Sequence, residues 1–270
     1  MTHRSTLRVA SCMAPNADAM CRDLAQWLGA RLAIDVEFIH QVSWQERECR
    51  LTAGLLDLCW ICSPPMLRMV DAGVAVEPCV APVMAAARYG RRPVYFSDVV
   101  VRADSAHRSF ADLRGQSWAY NERGSHSGWG VVCYHLATLG SDMRYFGRVV
   151  EAGSHQAALR MIASGAVTAA AIDSTVLEAE SAQHPQVRDM FRVVATLGPS
   201  PAPPWVMSSR LPHAMKLAIR DALAAMRHDA QGRDILGSWG IEALAPVDLR
   251  DYEATRHMMR LGDAYVPDAW

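Results

Sequence analysis

Apolar runs of strand length alternate with segments of helical period along almost the whole chain, which restricts the fold to mostly parallel sheets flanked by helices. The sequence predicts strands at Leu7 to Ser11, Val36 to His40, Leu56 to Ile61, Val99 to Arg102, Ser117 to Tyr120, Arg148 to Glu151, Ala169 to Ile172 and Arg192 to Ala195. Between them, Met20, Leu24, Trp27 and Leu28 share one helical face, as do Met215, Ile219, Leu223 and Met226. Two segments break the alternation: Tyr95-Phe96-Ser97-Asp98, and the proline-rich run from Leu197 to Trp205. Proline fixes φ and removes a donor, so the second run is expected as a stiff crossover, not a helix or an interior strand. The chain then divides into lobe 1, residues 1–97 plus 203–270, and an inserted lobe 2, residues 98–202, with a cleft between them for a ligand.

At 270 residues, with 51% apolar and 20% charged, the chain is long enough for two packed lobes. Lys and Arg number 27 against 28 Asp and Glu, so no overall field draws nucleic acid, and any anion site must be local. No stretch approaches the roughly 20 apolar residues of a membrane span. The first six residues lack an apolar signal segment, and seven cysteines, an odd number between Cys12 and Cys133, read as free thiols. The expectation is therefore a cytoplasmic protein, periplasmic or otherwise extracytoplasmic if a signal was trimmed.

Chemistry is concentrated where strands end. Ser117 to Tyr120 is followed by Asn121-Glu122-Arg123-Gly124-Ser125-His126-Ser127-Gly128 and a helical segment; the strand ending at Glu151 is followed by Gly153-Ser154-His155 and another; Ala169 to Ile172 is followed by Asp173-Ser174-Thr175. Hydroxyl residues at helix starts, beside free N–H groups and the positive end of the dipole, suit a phosphate-like anion, although each is also an ordinary N-cap. His126 and His155 can donate to an oxyanion, and a protonated ring adds charge. Asp173 can accept from a protonated ligand oxygen or an amine, or simply cap a helix. Cys59-Trp60-Ile61-Cys62 has C-x-x-C spacing but falls on a predicted buried strand without a second Cys pair. No nucleophile elbow, Walker loop or zinc-protease motif is present, so neither catalytic residues nor a metal or cofactor is expected.

Several stretches together resemble the phosphonate/phosphite/phosphate-binding family of ABC-transporter substrate-binding proteins. They are Leu56-Asp57-Leu58-Cys59-Trp60, Tyr95 to Arg102, Phe110-Ala111-Asp112-Leu113-Arg114-Gly115-Gln116, Gly124-Ser125-His126-Ser127-Gly128, Gly153-Ser154-His155, Ala171-Ile172-Asp173-Ser174 and Pro203-Pro204-Trp205-Val206. The resemblance implies a two-lobed type II periplasmic-binding-protein fold that holds a small oxyanion. In that site Ser125, Ser127, Gly128 and nearby amides would hold the anion, with His126 between them, His155 and Tyr95 closing on it, Asp173 and Ser174 at the edge, and Trp205 bordering the cleft. An ABC permease is the implied partner, and a monomer the expected state. The chain departs from the family in having His126 where Thr is frequent, and Ser63-Pro64-Pro65-Met66 where the family carries an aromatic. The competing readings are a cytoplasmic enzyme on the same scaffold, similar to those of menaquinone or thiamine-pyrimidine biosynthesis, and a ligand-sensing module.

Overall fold

The computed structural model describes residues 6–264. Eleven strands run in chain order: β1 (Leu7–Ser11), β2 (Val36–Ile39), β3 (Leu58–Trp60), β4 (Val76–Met84), β5 (Val94–Arg102), β6 (Ser117–Tyr120), β7 (Arg148–Glu151), β8 (Ala169–Asp173), β9 (Phe191–Pro201), β10 (Trp205–Ser208) and β11 (Ile241–Pro246). They form two sheets in two compact units. Of the described residues, one unit holds 6–94 with Pro201–Glu253, and the other holds Tyr95–Ser200 with 254–264.

In the first unit the strand order is β11-β4-β10-β3-β1-β2. β1 pairs in parallel with β2 and β3, while β10 is antiparallel to β3 and β4, and β4 to β11. The helix Asp18–Leu32 buries the expected stripe of Met20, Leu24, Trp27 and Leu28. Arg47 ties the strand ends together. Its guanidinium is buried and places all five N–H donors, on Ser11 O, His40 O, Val42 O and both carboxylate oxygens of Asp18. Trp205 stacks on Trp60 at 5.9 Å between ring centroids, and Trp60 Nε1 donates to Pro203 O at 2.9 Å. Residues 63–66 open the helix Ser63–Asp71, with prolines in its first turn where no N–H is missed.

In the second unit the order is β7-β6-β8-β5-β9. β7, β6 and β8 run parallel and β5 opposes β8, so three strands deliver their carboxyl ends to one edge. One face is covered by an aromatic cluster in which Trp118 stacks on Phe146 at 4.3 Å and Phe110 meets Trp118, Tyr145 and Phe146. The other face packs Ala158, Leu159 and Ile162 against Val100, Ala119 and Ala170. Gly147 is obligatory there, since a Cβ would lie 2.2 Å from the Gly115 carbonyl oxygen.

Three expectations are corrected. Tyr95 to Asp98 is not a break but the first half of a nine-residue strand. The proline run is strand through Pro201, at the sheet edge where missing donors are tolerated, and Trp205 opens an interior strand of the other sheet. The expected division kept 203–270 together; in the structure the last helix, Glu253–Ala264, groups with the second unit instead. Met258 packs on that unit's core, and a Cβ at Gly262 would sit 3.2 Å from Cys133 Cβ.

Candidate functional site

At the edge where β6 and β7 end side by side, Tyr120 opposite Glu151, the two following loops are tied by Ala152 N–H to Tyr120 O and Gly153 N–H to Asn121 O, each at 2.8 Å. After β6 the chain makes a wide π turn, His126–Gly130, that runs directly into the helix Val131–Thr138. Ser125 caps it: its Oγ accepts from Gly128 N–H at 3.2 Å, and its carbonyl accepts from Gly130 N–H at 3.0 Å. An i→i+5 turn leaves one more amide ahead of the ladder than an α turn does. After β7, Gly153 adopts φ +82° and Ser154 caps the helix His155–Ala163 through Ala157 N–H.

These two helix starts meet through side chains. Ser127 Oγ lies 3.0 Å from His155 Nε2 and 3.4 Å from Ser125 Oγ, and all three residues are buried. Burial holds the His155 imidazole down at about 4, so it is neutral at pH 7. Its Nδ1 is buried without a protein partner. The neutral ring and the serine hydroxyl carry one proton each; only one lies between them, so the pair retains a donor for a third group.

The other expected residues divide. Gly128 packs closely on Asn121, a Cβ there falling 1.9 Å from Asn121 Oδ1 and 3.3 Å from its backbone nitrogen. His126 goes elsewhere than its serine neighbours: Nε2 meets Ser200 Oγ on β9 at 3.0 Å, and its ring lies 6.4 Å from that of Tyr95. It is wholly buried and also lowered to about 4 by desolvation, so the ring is neutral at pH 7. Asp173 caps the third helix, Ser174–Gln183, accepting from Thr175 N–H at 2.8 Å and Thr175 Oγ1 at 2.7 Å. The carboxylate occupies the positive helix end itself, and burial raises it to about 6. Ser174 Oγ accepts from Phe96 N–H at 3.0 Å. Trp205 belongs to the other unit, buried on Trp60. Sequence reasoning missed Asn121 and Ser200. Asn121 is adjacent to a strand end and could have been suspected; Ser200 reaches His126 only through sheet pairing of distant segments.

Two helix-flanked mixed sheets, one with serine and histidine gathered at parallel strand ends, define the two-lobed α/β class of periplasmic binding proteins. Within it, the chain belongs to the family described as the phosphonate periplasmic substrate-binding protein of ABC transporters, whose model matches residues 13–252. A binding-protein component of an ABC phosphonate transporter from Pseudomonas aeruginosa superposes with a TM-score of 0.83 at 16% identity, over 98% of this chain and 90% of that one. PhnD1 from Prochlorococcus marinus, in complex with methylphosphonate, gives 0.84 at 15% identity over 98% and 100%. XAC2383 from Xanthomonas citri, bound to ATP, gives 0.76 at 16% over 97% and 98%. The family description is of a periplasmic protein and lends no support to the cytoplasmic placement expected from the thiols. Among the described residues no helix is long and apolar enough to cross a membrane.

Proposed function

We propose that this chain binds a small oxyanion of the phosphonate, phosphite or phosphate class through Ser125, Ser127, Gly128 and His155, and passes it unaltered to an ABC permease. The observation that carries this reading is the Ser127–His155 contact of 3.0 Å, which joins the starts of two helices and keeps one donor unspent. The backbone amides ahead of the π turn add neutral donors with the helix dipole behind them. Tyr95 and His126, packed on each other, support that turn. Asp173 and Ser174 stand at the neighbouring strand end, where a carboxyl raised to about 6 accepts from a protonated ligand oxygen or an amine. The working form is a monomer, which light scattering with and without ligand checks.

Calorimetric titration with methylphosphonate, phosphite and phosphate is the test of binding, and no heat at millimolar concentration for any of them sinks it. Ser127→Ala with His155→Ala removes both partners of one buried pair, so neither is left orphaned. One hydrogen bond to a charged group is worth about 1.5–3 kcal/mol, and the double variant is expected to lose about 10- to 10²-fold in affinity with its circular dichroism intact. Ligand recovered after incubation should be chemically unchanged.

A further inference from the structure

Cys59 was singled out in the sequence for its spacing to Cys62, but the thiol it meets is that of Cys12. In the parallel pairing of β1 with β3, Ala10 is opposite Cys59 and Ser11 opposite Trp60. Cys12 comes just after β1, with its N–H on Trp60 O at 2.7 Å. It stands two residues beyond Ala10, so it projects on the same face as the partner of Ala10 and reaches Cys59 diagonally. The two Sγ atoms lie 3.6 Å apart. Cys59 is fully buried, whereas Cys12 is partly exposed. A disulfide needs about 2.05 Å between sulfurs, so closure asks for roughly 1.5 Å of approach, taken up on the Cys12 side, which lies just past the end of β1.

We propose that Cys12 and Cys59 are a dithiol switch that closes to a disulfide when the protein meets a thiol–disulfide oxidant, stapling β1 to β3. The accessible thiolate of Cys12 attacks one sulfur of the oxidant disulfide, forming a mixed disulfide and releasing the other half as a thiolate. Cys59 then loses its proton and its sulfur attacks Cys12 Sγ, expelling the second half. Both protein protons end on the two released thiols; the cysteine pair gives up two electrons and the oxidant gains them. The hydrogen bond with Cys12, and then burial, push the Cys59 thiol well above its ordinary value, which fits it to the second, resolving position. A periplasmic family supplies the setting in which such a bond persists.

The purified full chain, reduced and then incubated with oxidised glutathione, is unfolded in alkylating agent and mapped by mass spectrometry. The expected result is loss of the Cys12 and Cys59 thiols, a Cys12–Cys59 cross-linked peptide, no glutathione retained on either of the two, and reversal by dithiothreitol, whatever adduct the exposed Cys49 carries. Cys12→Ser should abolish bridging, and Cys59→Ala should leave Cys12 trapped as a glutathione adduct, both with native circular dichroism. All seven thiols still alkylatable, a persistent Cys12 adduct in the unsubstituted protein, or a Cys59–Cys62 link would each overturn the proposal.

Discussion

Gly128 is small because Asn121 is beside it. A methyl group at that position would press on Asn121 Oδ1, the movable end of a side chain, but also stand 3.3 Å from its backbone nitrogen. Gly128→Ala is therefore expected to cost about 1–3 kcal/mol and to weaken phosphonate binding, with Asn121→Ala restoring part of both. A double-mutant cycle by urea unfolding and calorimetry reads this directly; additive effects would show that the clash is not the cause. The buried histidines set a pH dependence. His126 and His155 sit at about 4 in the folded chain against an ordinary 6.5, so the unfolded chain takes up their protons first. Their contribution is complete above about pH 6.5 and is lost as pH falls toward 4, about 3 kcal/mol each. Asp173, at about 6 against 3.8, works in the opposite sense, and the folded state gains from its protonation between pH 6 and 4, offsetting roughly one histidine. Unfolding free energy should thus fall by about 3 kcal/mol between pH 7 and 4.5. His126→Gln should nearly flatten the profile and Asp173→Asn should steepen it.

The helix that bears Ser127 at its start is held at its side by the helix Glu253–Ala264. Gly262 brings the two together, since its missing Cβ would be 3.2 Å from Cys133 Cβ and 3.4 Å from Tyr134 N. His257 meets the Tyr134 ring edge-on at 6.1 Å. Gly262→Leu is expected to destabilise by about 2–3 kcal/mol, seen as a lower urea midpoint at unchanged slope. Which elements the sequence revealed also has a physical cause. β1, β6 and β7 match their predicted bounds, each being a short run with an apolar centre that ends directly before small and polar residues. β4, β10 and β11 went unseen: all are antiparallel, β4 contains Pro78 and Pro82, β11 ends on Pro246, and β10 follows Pro203-Pro204. The proline signal was sound as a statement about donors and misleading as a statement about strands.

For the molecule as a whole, the serine and histidine junctions were legible because each is local: a strand end, a small residue and a helix start within a few positions. What brings Ser127 to His155, 28 positions away, is the β6–β7 pairing, visible in sequence only through resemblance to relatives. The true neighbour of Cys59, 47 positions away, was equally hidden, while the nearer Cys62 drew notice. The C-terminal helix has a further consequence. Polypeptides emerge from the ribosome N-terminus first and domains fold as units. The segment Pro201–Glu253 is translated between the body of the second unit and the helix that completes it, so the unit that carries Ser127 and His155 stays unfinished until that helix has been made. A nascent chain stalled before Ala254 would leave the flank of Cys133 and Tyr134 without its cover.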